Sequence, residues 1–240
     1  MIKYAPIVAL DVANIDQVID ILEKLQVEPR PIIKIGMELF YHFGPDIVTQ
    51  VQQLGFDVFL DLKLHDIPNT VERAARVIGQ LGVKMTTIHA AGGAEMLAAG
   101  KRGLLQGAQE IGTKPAKLLA ITQLTSIDEQ ILHTQQHVAI SLKESVQNYA
   151  QLAQKTSLDG VICSALEVPF IREVVSEKFL CITPGIRPQQ AKQDDQKRVV
   201  TPAKAAQLGS NGIVVGRPIT QSDNSQIAYQ QIANEFKEEN

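Results

Sequence analysis

Eight short apolar runs, separated by longer stretches of helical period, constrain this chain more than any other feature. They occupy residues 7–12, 32–36, 58–63, 85–90, 118–124, 160–165, 180–186 and 212–216. The runs are rich in Val, Ile and Leu and nearly continuous, as strands buried on both faces are. Between them, apolar residues recur at three- and four-residue spacing. Ile15, Val18, Ile19, Leu22 and Leu25 form one such stripe, and Val71, Ala74, Ala75, Ile78 and Leu81 another. Pro68 bars helix continuation upstream of the second stripe, and Asn69 with Glu72 matches a capping box. Alternating strand and helix point to an α/β fold, and eight strands close a parallel (β/α)8, or TIM, barrel. The 240 residues, 45% of them apolar, are read as one barrel domain over 1–240, with no linker, low-complexity tract or repeat.

Composition excludes several functions. The net charge is only −3 and there is no basic block, so binding to nucleic acid or membrane by general electrostatics is not expected. No apolar stretch reaches bilayer length. The first apolar run ends at Asp11 without a small-residue cleavage pattern. Cys163 and Cys181 lie inside apolar runs, with neither a CxxC pair nor a histidine at metal spacing. Reduced core thiols in a cytoplasmic protein are expected.

Barrel enzymes build their sites at the C-terminal ends of the strands, and charge collects there. The first run leads into Asp11, the second carries Lys34 with Gly36, and the third ends in Asp61-Leu62-Lys63. Residues two apart on a strand share a face, so Asp61 and Lys63 are expected to project together. Asp66 follows on the next loop. Any one of these charges reads as a strand cap or a surface pair, and Asp66, just ahead of Pro68, as a helix-entry residue. Their alternation over three consecutive strands is harder to explain that way. Flanking carboxylates favour the ammonium form of a lysine, and a protonated lysine held rigidly is a general acid.

A second group suits phosphate. The seventh run ends in Thr183-Pro184-Gly185-Ile186-Arg187 and the eighth in Val215-Gly216-Arg217-Pro218. Loops after strands seven and eight are the customary phosphate site of this architecture. Each offers a glycine for close backbone approach and an arginine for a forked contact. The long polar connection from Gly185 to Val200 reads as a lid, a binding loop or a disordered segment. His89 reads as a hydrogen-bonded structural histidine in preference to a pocket-lining one, and Gly92-Gly93 as a tight turn in preference to a phosphate loop. His42, His65, His133 and His137 show no metal spacing, and Met37 and Phe40 read as core. Thr125 and Ser126 suit substrate contacts and a helix cap equally well.

Taken in order, these stretches resemble the orotidine 5′-phosphate decarboxylase family over nearly the whole chain. The most specific element is Asp61-x-Lys63-x-x-Asp66-Ile67-x-x-Thr70. Leu10-Asp11, Ile33-Lys34-Ile35-Gly36, Thr183-Pro184-Gly185-Ile186-Arg187 and Val215-Gly216-Arg217-Pro218-Ile219 also match. The resemblance implies a barrel homodimer without metal or organic cofactor that converts orotidine 5′-phosphate to UMP and CO2, the last step of de novo pyrimidine synthesis. It makes Lys63 the proton donor, with Asp61, Asp66 and Lys34 completing a charged network. Asp66, Ile67 and Thr70 would reach into the partner subunit's site. Asp11 and Lys34 would meet the ribose hydroxyls, and Thr125 and Ser126 the pyrimidine. Arg187, Gln196, Gly216 and Arg217 would hold phosphate, with Gln196 bridging toward the base from the lid. Related barrels that share the Asp-x-Lys-x-x-Asp motif, such as 3-keto-gulonate 6-phosphate decarboxylase and hexulose phosphate synthase, resemble metal-dependent enzymes with an acidic residue on the second strand. Here Lys34 stands in that place. A silent nucleotide-binding barrel is the third reading, and fold alone does not separate it from the others.

Overall fold

The computed structural model describes residues 3–188 and 199–237. Its strands are β1 (Ile7–Leu10), β2 (Ile33–Gly36), β3 (Val58–Leu64), β4 (Met85–His89), β5 (Lys117–Ile121), β6 (Gly160–Ile162), β7 (Leu180–Thr183) and β8 (Gly212–Val215). They pair in parallel in chain order, and β8 returns to β1 to close the barrel. The helices are α1 (Ile15–Lys24), α2 (Met37–Phe43), α3 (Asp46–Gln53), α4 (Pro68–Gln80), α5 (Gly93–Glu110), α6 (Glu129–Thr134), α7 (Leu142–Lys155), α8 (Val168–Arg172), α9 (Pro202–Gln207), α10 (Arg217–Thr220) and α11 (Ser225–Lys237). Most of the strands are shorter than the apolar runs that announce them, because the runs continue past the ladder into the loops that follow. Among the described residues, no helix is long and apolar enough to cross a membrane.

Alternation sorts each strand into two faces. Val8 and Leu10, Ile33 and Ile35, and Val58 and Leu60 pack outward against the helices. Ile7, Ala9, Ile32, Phe59, Met85, Leu119, Leu180, Ile182 and Val214 form a separate apolar cluster that fills the barrel. Two residues further along, the inward positions become Asp11, Lys34, Asp61, Thr87 and Gly216. The interior thus changes from apolar to polar over one layer.

Local chemistry explains most helix starts. Asn14 caps α1 by accepting from the Gln17 N–H at 3.0 Å. The capping box expected at Asn69 and Glu72 does not form. Helix α4 begins at Pro68, after an Ile67 cap that makes no side-chain bond. Proline lacks an N–H and presets the helical φ, so it takes the first position and draws Asn69 into the first turn. Glu72 instead binds Arg102 of α5 at 2.6 Å. Gly92-Gly93 forms a tight turn, a short 3-10 segment leading to Gly93 at φ 82°. Met37, expected in the core, is 43% exposed. It opens α2 at the barrel mouth, just past the end of β2, while Phe40 packs against the core.

Helices α4 and α5 touch backbone to backbone through glycines. A Cβ on Gly107 would lie 2.0 Å from the Arg76 carbonyl oxygen, and one on Gly103 2.1 Å from that of Glu72. Gly107→Ala is therefore expected to cost about 1–3 kcal/mol of stability, the range for overpacking a tight contact. A lower urea midpoint would show it; an unchanged midpoint would mean the helices separate freely.

Candidate active site

The four charges converge at the C-terminal end of the barrel. Register sets their heights: Lys34 lies level with Ala9 and Phe59, and Asp61 pairs with Gly36 one layer above. Lys34 Nζ reaches Asp11 Oδ1 at 3.6 Å and Asp61 Oδ2 at 3.7 Å. Lys63 Nζ donates to the same Asp61 oxygen at 2.9 Å. The array runs Asp11, Lys34, Asp61, Lys63, in the alternation read from the sequence.

Asp61 is the hub of this array and largely buried. Burial acts most strongly on it and would raise its carboxyl. The charges of Lys34 and Lys63, with hydrogen bonds from Lys63 and Thr87, together outweigh burial and hold it below the ordinary 3.8.

Asp61 and Lys63 meet by a different route from simple strand alternation. Leu60 pairs with Thr86 and Leu64 with Ile88, so four steps along β3 match two along β4. The strand bulges, and Lys63 takes a left-handed backbone at φ 53°. The Thr87 hydroxyl occupies the break. It accepts from the Lys63 backbone N–H at 2.9 Å and donates to Asp61 Oδ1 at 2.8 Å. Sequence reading passed over Thr87. Counting two on from Met85, an inward core residue of β4, would have found it.

A cavity of about 250 Å³ opens over the array. Asp11, Lys34, Asp61 and Lys63 line it together with Gly185, Arg187, Gly216 and Arg217. Arg187 also donates to the Ile186 carbonyl at 2.9 Å. Thr125 lines the cavity with Gln123 and Leu124, which sequence reading did not single out. Gln123 is buried and donates to Ser145 of α7 at 3.1 Å. Ser126 does not line the cavity. Neither Thr125 nor Ser126 caps a helix, since Asp128 caps α6.

Asp66, Ile67 and Thr70 are not brought to this cavity within their own chain. All three are exposed, Ile67 by 67%, and the Asp66 carboxylate accepts from the Ile67 N–H at 2.6 Å. Gln196 lies outside the described residues, as does most of its connection. The connection's ends are pinned by a bridge between Ile186 and Val200. His89 is half-buried with its ring 5.2 Å from that of His65, and among the described residues no hydrogen bond holds its side chain, contrary to the expected structural role. Burial first, then His65 and Lys63, lower its pKa against the pull of Asp61. Cys163 and Cys181 are free and buried. Among the described residues, no group of three or more His, Cys, Asp or Glu side chains is placed to hold a metal ion.

A closed parallel barrel with ionisable side chains gathered over its C-terminal mouth defines an enzyme of the (β/α)8 class. The chain belongs to the orotidine 5′-phosphate decarboxylase / HUMPS family, whose model matches residues 5–232. It is 54% identical over 231 residues to the orotidine 5′-phosphate decarboxylase of Latilactobacillus sakei, covering 96% of this chain and 97% of that protein. Identity to the protein of the same name from Lactiplantibacillus plantarum is 55% over 230 residues, again 96% and 97%. The crystal structure of orotidine 5′-phosphate decarboxylase from Lactobacillus acidophilus aligns with a TM-score of 0.88 at 42% identity, over 98% of this chain and 100% of that one.

The lowered Asp61 carboxyl has a signed consequence. Its ionised form stabilises the fold fully above 3.8, and that contribution fades as pH falls through the lower folded value. Between about pH 6 and about pH 3, urea unfolding should show wild type losing more stability than Asp61→Asn. Equal losses would contradict the ion-paired state.

Proposed function

We propose that this chain decarboxylates orotidine 5′-phosphate to UMP and CO2 without metal or organic cofactor, with Lys63 as the proton donor to C6. One observation carries the reading: Lys63 Nζ sits 2.9 Å from an Asp61 oxygen that also faces Lys34, in a cavity shared with Arg187 and Arg217. Relatives more than half identical to this chain bear the name of that activity.

The chemistry follows from charge. The bond between C6 and its carboxylate breaks heterolytically; CO2 leaves and the electron pair stays on C6. An Nζ–H bond of Lys63 breaks, its proton goes to C6, and the amine regains a proton from water. A preorganised ammonium stabilises the developing carbanion. Asp61 would lie beside the departing carboxylate and repel it. Enzymes remove about 8–23 kcal/mol from a barrier, and a carbanion that no cofactor delocalises calls for the upper part of that range. Lys63 alone does not supply it. The remainder would come from phosphate held by Arg187, Gly216, Arg217 and Gln196, since remote contacts can offset strain and desolvation at the reacting carbon. Asp11 and Lys34 would meet the ribose, and Thr125 the pyrimidine; Ser126, which does not line the cavity, is left without that role.

Sugar-phosphate barrels with the same motif require an acidic metal ligand where Lys34 stands, and an ammonium does not bind Mg²⁺. Consumption of orotidylate should proceed at full rate in the presence of a chelator. Lys63→Ala should lose about 10⁴-fold or more in turnover while still binding UMP. A metal requirement would favour the sugar-phosphate reading, and UMP binding without wild-type turnover a silent binder. Activity retained in Lys63→Ala would remove Lys63 as the donor.

The exposure of Asp66, Ile67 and Thr70, away from their own cavity, supports a homodimer in which each chain closes the other's site. Mixing Lys63→Ala with Asp66→Ala subunits would then restore one sound site in each hybrid dimer. With free exchange, about one quarter of wild-type activity should return. No recovery, with exchange verified by mass, would place Asp66 in its own chain's site.

A further inference from the structure

We propose that Thr87 is the positioning residue for Lys63, its single hydroxyl fixing both the backbone and the ammonium end of that side chain. The inference rests on the reading of Lys63 as proton donor. Lys63 is one of three non-glycine residues with positive φ among the described residues. That conformation is disfavoured for a side chain with a Cβ, so the surroundings must hold it. The bulge removes Lys63 from the regular ladder. Its N–H is received by the Thr87 oxygen at 2.9 Å.

A hydroxyl has one hydrogen to give. Thr87 gives it to Asp61 Oδ1 at 2.8 Å, which turns the other oxygen, Oδ2, toward Lys63 Nζ at 2.9 Å and Lys34 Nζ at 3.7 Å. The same atom therefore sets where the Lys63 backbone lies and where the carboxylate that anchors its ammonium points. Thr87 is fully buried and does not line the cavity, so it acts through its neighbours and not on substrate. Neighbouring Thr86 spends its hydroxyl on the Leu60 carbonyl at 2.8 Å, tying strand to strand. The two threonines have separate tasks, one in the ladder and one in the site.

The test uses full-length Thr87→Val, Thr87→Ala and Thr87→Ser beside wild type and Lys63→Ala, each measured for orotidylate turnover and UMP binding. Val and Ala should lower kcat about 100-fold, the scale of a misplaced reacting group, with UMP affinity unchanged. Ser, which keeps the hydroxyl, should restore most of the rate. Wild-type turnover in Val and Ala, with Lys63→Ala inactive, would overturn the role of Thr87 and leave Lys63 as donor. Turnover in Lys63→Ala would instead remove the donor itself. Ser as slow as Val would assign the effect to side-chain shape and overturn the proposal. If Val fails to fold, the Ala and Ser pair decides. Unfolding of both hydroxyl-free variants beside a folded Ser would show the hydroxyl holding the barrel and not Lys63, which also overturns it.

Discussion

A carboxylate taken out of water at the top of an apolar barrel is the constraint on which the rest depends. Burial is the largest single influence on Asp61, and it opposes the charge. The charge survives because two ammonium groups share one of its oxygens and a threonine hydroxyl serves the other. Removing any one donor leaves the buried carboxylate poorly compensated. Such mutual dependence makes the array rigid, and on the proposed reading that rigidity would hold an ammonium ready where negative charge develops.

Charge crowding alone does not make a site. Asp159 is also half-buried beside two cations, Lys101 at 2.6 Å and Lys117 at 2.9 Å, and accepts from the Leu118 N–H at 3.0 Å. It lies where β5 and β6 begin, at the N-terminal end of the barrel, where such clusters serve stability. Asp61 differs in facing the interior at the opposite end, under the loops that follow the strands. Arg187 and Arg217 line that same cavity.

The barrel was legible from the number and near-continuity of its apolar runs, and three of the four charges from a period of two. Inward residues such as Ala9, Ile32 and Phe59 predict Asp11, Lys34 and Asp61 one layer above them. What escaped was whatever departs from that period or depends on a neighbouring strand. The bulge at Lys63 leaves no composition signal, since lysine is not among the residues, Gly, Asn and Asp, that favour a left-handed backbone. Thr87 resembles any β-branched strand residue until its register against Asp61 is known. Proline overrode the apparent cap at Asn69, and Met37 proved exposed because α2 starts at the open rim. Asp66, Ile67 and Thr70 carried a strong motif that one chain's own cavity does not use.

The ionisation of Asp61 itself is the most direct check on this account. In protein labelled at the aspartate carboxyl carbons and assigned with Asp61→Asn, the Asp61 signal can be followed by 13C NMR as pH falls. Its midpoint is expected below the ordinary 3.8 of an aspartate, because the cations and hydrogen bonds outweigh burial. A midpoint at or above that value would mean that burial wins, that Asp61 is not locked between Lys34 and Lys63, and that the site is not assembled as described.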